Sequence, residues 1–123
     1  MRRKRFDADG TYDKMVRLML ERQLYLRRDL SRDDLAREVL TNRTYITRAL
    51  KGRGLSFPQF VNSFRAAHAI GLVAEGRYPD ASPEEIALLS GFASADTMNR
   101  YIKKSAGCGA CAMREKVFGP DGN

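Results

Sequence analysis

Two stretches of this chain repeat one another at a separation of about fifty residues, and no other feature restricts the possible folds as strongly. Leu35-Ala36 and Ile86-Ala87 lie 51 residues apart, while Asn42, Arg48 and Lys51 match Ser94, Arg100 and Lys103 at a separation of 52. The drift of one residue falls in the turn, which is longer in the second copy. Each copy opens on a serine followed by acids, Ser31 with Asp33 and Asp34 and then Ser82 with Glu84 and Glu85. A serine N-cap satisfies an orphan backbone N–H, and first-turn carboxylates oppose the positive end of the helix dipole. After a brief turn, Asn42 or Ser94 caps a second helix. Two short helices joined in this way form a helix-turn-helix, so the repeat predicts two such units, at about 31–53 and 82–106.

The remaining segments are also helical in pattern. Ser56-Phe57-Pro58 opens a linker helix over about 57–75, with the proline near the first turn, where its missing N–H costs little. Its expected apolar face is Phe57, Phe60, Val61, Phe64, Ala67 and Leu72. At ~1.5 Å per residue that helix is ~27 Å long, close to the ~34 Å repeat of duplex DNA. Upstream, Tyr12, Met15, Val16, Met19 and Leu26 recur at helical spacing, and Leu18, Leu20, Leu24 and Tyr25 widen the stripe beyond one packing face. The surplus predicts a second contact for helix 12–27, with another copy of the chain or with an upstream sensor domain. Residues 1–11 read as a basic flexible tail in which Phe6 is the only large apolar residue after Met1. A last short helix is expected over about 110–116, followed by a tail at 117–123. No segment alternates with period two, so the expected class is all-α, with about seven helices in a domain spanning 12–116.

Charge narrows the function. The 123 residues carry a net charge of +7 and 43% apolar side chains, enough core for one compact domain or two small lobes sharing a helix. A large ligand-sensing domain has no room beside it. No apolar run approaches the ~18 residues of a membrane span, and the start Arg2-Arg3-Lys4-Arg5 leads into acids rather than an apolar stretch. No membrane contact and a cytoplasmic location are therefore expected. Between Thr41 and Phe57 stand Arg43, Arg48, Lys51 and Arg53 with no acid, and the helix after Ser94 carries Arg100, Lys103 and Lys104 against Asp96. The cations thus fall on the second helix of each unit, which points to nucleic acid.

The rival chemistry is confined to Cys108-Gly109-Ala110-Cys111, a C-x-x-C at a helix start. A thioredoxin-like site wants a βαβ context, and a zinc site needs two more ligands where His68 is the only histidine. A small redox or zinc-binding protein is the alternative reading; packing of small thiols is the favoured one. His68 is expected at the surface, within reach of a phosphate. No cofactor, metal or catalytic constellation is expected, and the protein is read as a non-enzyme.

The segments Asp34-Leu35-Ala36, Asn42-Arg43-Thr44-Tyr45-Ile46-Thr47-Arg48-Ala49-Leu50, Gly54-Leu55-Ser56-Phe57, Glu85-Ile86-Ala87, Gly91-Phe92 and Arg100 resemble the DNA-binding domain of AraC/XylS-type bacterial transcription regulators. The resemblance covers about 31–116 and is greatest to Bacteroidetes-type members, whose DNA-binding domains usually end a longer sensor protein. It implies sequence-specific binding of double-stranded DNA by two recognition helices in successive major grooves, with RNA polymerase as a further partner. By resemblance, Thr44, Thr47 and Arg48 read bases in the first unit while Asn42, Arg43, Lys51 and Arg53 lie near the backbone. In the second, Ala95, Asp96, Thr97, Asn99 and Arg100 match base-reading positions, with Ser94, Lys103 and Lys104 near phosphates. Arginine can grip guanine O6 and N7 through two bonds, asparagine can pair with adenine, and threonine offers a hydroxyl or a methyl. Asp96 fits a cytosine amine, but a helix-capping role is preferred. Leu40 stands where the family's turn usually has glycine, which implies a turn that avoids the left-handed conformation or is differently shaped.

Overall fold

The computed structural model describes residues 6–106. The first five residues of the basic tail, the expected helix at 110–116, the Cys108 and Cys111 pair and the tail at 117–123 lie outside the described residues. Among the described residues there are six α-helices, one short 3₁₀ turn and no strand. They divide after Phe60 into two compact units.

The first unit holds α1 (Ala8–Arg22), α2 (Arg32–Val39), α3 (Arg43–Lys51) and the first turn of α4 (Phe57–Glu75). Helix α1 starts earlier than the apolar pattern from Tyr12 suggests, because the Asp7 carboxylate accepts the Gly10 N–H at 3.0 Å and caps it. It also stops at Arg22 rather than running to residue 27. Gln23 takes a left-handed conformation, φ 49°, and Leu24–Leu26 form a 3₁₀ turn. That break explains the apolar surplus. Met15, Leu18, Met19, Leu24 and Tyr25 are all buried within the described residues, and of the widened stripe only Leu20 remains exposed. Most of the surplus is taken up within the first unit by a change of chain direction. Helix α2 begins in a full capping box, with Ser31 Oγ accepting the Asp34 N–H at 3.1 Å and the Asp34 carboxylate accepting the Ser31 N–H at 3.0 Å. Those bonds, then Arg27 and Arg37, hold the Asp34 carboxyl below the usual carboxylate range.

The second unit holds the rest of α4, α5 (Pro83–Leu89) and α6 (Ala95–Ala106). Ser82 and Glu85 repeat the capping box of Ser31 and Asp34, with Pro83 in the first turn. Its core is Ala66, Ala69, Val73, Ala81, Ile86, Ala87, Phe92, Met98 and Ile102. The expected α4 face is therefore only half right. Phe57, Phe60, Val61 and Leu72 are buried, but Phe64 is half-buried and Ala67 exposed, while Ala66, Ala69 and Val73 are inside. The pattern predicts one stripe where the helix serves two cores, and the small alanines of the second escape it because they carry little hydropathy.

The sequence repeat has a backbone counterpart. In the first unit the Thr41 N–H reaches back to the Ala36 carbonyl at 2.9 Å, and in the second the Phe92 N–H reaches the Ala87 carbonyl at 2.9 Å. Both are closures around a left-handed residue, Leu40 at φ 64° and Gly91 at φ 87°. The extra residue of the second turn comes after this closure, before the Ser94 cap, as the drift in the repeat requires. Leu40 thus adopts the conformation its side chain was expected to prevent. A non-glycine residue pays about 1–2 kcal/mol there, and Leu40 is 85% exposed, so its side chain recovers little through packing. Leu40→Gly is expected to raise the denaturation midpoint by the equivalent of about 0.5–1 kcal/mol, after subtracting glycine's greater freedom in the unfolded chain. A lower midpoint would show that the leucine side chain contributes more than its strain.

Candidate nucleic-acid interface

Helices α3 and α6 each bury one side and present the other. In α3, Ile46, Ala49 and Leu50 are inside, whereas Asn42, Arg43, Thr44, Thr47, Arg48, Lys51 and the following Arg53 are exposed. In α6, Met98 and Ile102 are inside, while Ser94, Asp96, Arg100, Lys103 and Lys104 are exposed and Ala95, Thr97 and Asn99 half-buried. Every residue expected at the interface is therefore on or beside one of these two helices, and none is fully buried.

Each helix start is shaped by its cap. Asn42 Oδ1 accepts the Tyr45 N–H at 2.9 Å. Ser94 Oγ accepts the Thr97 N–H at 3.2 Å, so Ser94 rather than Asp96 makes the capping bond; Asp96 stands in the first turn, where its charge suits the dipole. The same serine donates to Thr97 Oγ1 at 3.1 Å, and Arg100 Nη2 donates to that oxygen at 3.3 Å. Ser94, Thr97 and Arg100 thus form one connected group along α6, which limits the freedom the arginine would lose on gripping a ligand. Lys104 lies 5.6 Å from the centre of the Tyr101 ring.

In the first unit the arginines are held by groups that the sequence pattern did not bring to the site. The Arg48 guanidinium lies 4.6 Å from the Phe6 ring centre and 5.8 Å from that of Tyr45, and the two rings stack at 4.3 Å. Phe6, read from sequence as part of a flexible tail, is instead half-buried against α3. Arg53 lies 4.3 Å from the Tyr12 ring centre and makes an ion pair with Asp9 at 3.3 Å. The stretch from Thr41 to Phe57 lacks acids, but the fold brings one from α1. Arg32, at the start of α2, stands over Phe57 at 5.4 Å and borders a shallow groove with Thr47 and Lys51. The signal for Phe6 was its isolation as a large apolar side chain in a charged run; Asp9 and Arg32 had none, since only tertiary packing brings them to α3.

His68 departs from expectation. It is half-buried on α4, and burial pushes its imidazole below the usual histidine range, with Glu75 acting in the opposite sense. It is not the exposed cation a phosphate contact would use. No helix among the described residues is long and apolar enough to cross a membrane, and no group of three or more metal-ligating side chains occurs among them.

Residues 35–116 match the family model described as a helix-turn-helix domain. The chain is 32% identical over 72 residues to the TCP pilus virulence regulatory protein of Vibrio cholerae serotype O1, with the same values for the Classical Ogawa and El Tor Inaba strains. The match covers 58% of this chain and 25% of the relative, so the chain spans about a quarter of the length of the curated relatives it matches. Its fold is that of a DNA-binding transcriptional dual regulator from Escherichia coli K-12, at TM-score 0.70 and 14% identity, over 87% of this chain and 91% of that one. With the paired closures and caps, these similarities place the chain in the AraC/XylS-type helix-turn-helix family.

Proposed function

We propose that this chain binds double-stranded DNA in a sequence-specific manner to regulate transcription, without catalysing a reaction, and that α3 and α6 enter successive major grooves. The observation that carries this reading is the duplicated unit: the same capping box, the same left-handed closure and, in each copy, a second helix with a buried apolar side and an exposed basic one. A solvated basic surface has no need of that repetition. Family membership supports the assignment of duplex DNA as partner and is consistent with a cytoplasmic location.

In this reading Arg48 and Arg100 are the principal base readers, since each offers a two-pronged donor and each is steadied by neighbours on its own unit. Thr44, Thr47, Thr97 and Asn99 supply further contacts to base edges, with Ala95 and Asp96 beside them. Asn42, Arg43, Lys51, Arg53, Ser94, Lys103 and Lys104 meet the phosphate backbone and fix register. Arg53 contributes less than its charge suggests, because Asp9 already faces it. The test is selection from random duplex DNA at fixed salt with three variants. Arg48→Ala is expected to cost about 1–3 kcal/mol and to relax base preference in one segment of the site, and Arg100→Ala to do the same in the other. Lys104→Ala should weaken all sequences alike. If both arginine variants relaxed the same positions, the two-groove reading would be wrong.

A further inference from the structure

We infer that Phe6, which lies outside the repeated helix-turn-helix, is a positioning residue for Arg48 and so sets the base preference of α3 without touching a base. This rests on the duplex-binding reading and names what holds its principal base reader in the first unit.

The two arginines assigned to bases are held by different means. Arg100 is tied within its own helix, to the Thr97 hydroxyl and through it to Ser94. At Arg48 the contacts come from rings. Its guanidinium lies 4.6 Å from the Phe6 ring centre and 5.8 Å from that of Tyr45, and the rings are 4.3 Å apart with 28° between their planes. These three distances close a triangle, in which the guanidinium meets both rings rather than stacking beyond one of them. Tyr45 stands three residues before Arg48 on α3, so its contact follows from the helix itself. Phe6 comes from elsewhere, and its place is fixed by the helix it precedes. The Asp7 carboxylate caps α1 by accepting the Gly10 N–H at 3.0 Å, and glycine leaves room for that cap, since a Cβ there would lie 2.4 Å from Asp7 Oδ2. Helix α1 in turn buries Met15, Leu18 and Met19 in the first unit.

The chemistry of the contact decides its role. An aromatic ring engages the face of a guanidinium and leaves the N–H edge able to donate. Arg48 accordingly remains exposed. A cover that silenced α3 would bury that side chain, whereas Phe6 restricts its orientation and leaves its donors open. A freely rotating arginine loses more freedom on gripping a base and can donate to several acceptors. One held against two rings presents its fork in a single orientation, as two-bonded recognition of guanine requires. The ring therefore contributes to discrimination between bases.

The test is selection from random duplex DNA with the full chain, followed by affinity for the selected duplex across a salt series. Phe6→Ala and Phe6→Leu are each expected to relax base preference in the segment that Arg48→Ala relaxes and nowhere else. Affinity for the selected duplex should fall about two- to tenfold, with the slope against salt unchanged because no charge is removed. Phe6→Tyr should restore the wild-type preference. In an Arg48→Ala background, Phe6→Ala should change the preference no further. Leucine keeps the apolar bulk against Tyr45, and a thermal midpoint near wild type in that variant separates the effect from a loss of folding. Wild-type preference in both the alanine and leucine variants would overturn the positioning role and leave duplex reading intact. So would a further loss of preference in the Arg48→Ala background, or tighter binding by Phe6→Ala, which would make the ring a cover over α3. A wild-type chain that selects no sequence at all would overturn base reading and the positioning role together.

Discussion

Raising the salt from 50 to 200 mM is expected to weaken duplex binding by about 10² to 10³. Apart from the two base-reading arginines, five cations stand on or just after α3 and α6: Arg43, Lys51, Arg53, Lys103 and Lys104. Arg53 shares its charge with Asp9, leaving about four to five full contacts, and each phosphate neutralised releases bound counterions at ~0.9 per contact. Ion pairs elsewhere in the first unit cannot give this behaviour. Arg27 and Arg37 face Asp34, and Arg22 faces Glu38, so they are spent within the protein and should not contribute to the slope. Equilibrium binding at several salt concentrations checks this. A fall of less than tenfold would mean that the exposed cations are not meeting phosphates, and equal affinity for single-stranded RNA would remove the grooves from the account.

The other large effect is on stability. Phe92→Ala is expected to cost about 3–5 kcal/mol, a large share of the 5–15 kcal/mol typical of a whole domain. Phe92 is fully buried, and four of its eight partners in the second core are alanines, which have no side-chain length with which to fill the space. Its backbone is also committed, since the Phe92 N–H closes α5 on the Ala87 carbonyl. Residue-resolved hydrogen exchange should show α5 and α6 losing protection before α1, α2 and α3, whose core of Met15, Met19, Leu35, Ile46 and Leu50 belongs to the first unit. Uniform loss along the chain would mean that the two units unfold together.

The parts of this molecule legible in the sequence are those with local causes. Ser31, Ser82, Asn42 and Ser94 cap the helices they were expected to cap, because a cap is a contact three residues long. The repeat located both turns, including the longer second one. What the pattern could not show were features set by tertiary packing or by strain. Helix α1 ends at a left-handed Gln23 that no glycine marks, and Leu40 holds a conformation that its side chain disfavours. The buried alanines of α4 carry too weak a hydropathic signal to outvote Phe64. At the interface, the exposed cations were legible from their spacing. The rings and the acid around Arg48 and Arg53 were not, since Phe6 and Asp9 are about forty residues away in sequence and meet α3 only through the fold.

In the proposed binding mode two equivalent helices read one face of a duplex. A footprint on a selected duplex tests it most directly, since it maps protein onto DNA without presuming which residues touch which bases. Two protected segments about one helical turn, 10–10.5 base pairs, apart on the same face are expected in this mode. A single protected segment, with the second unit leaving no mark, would contradict it.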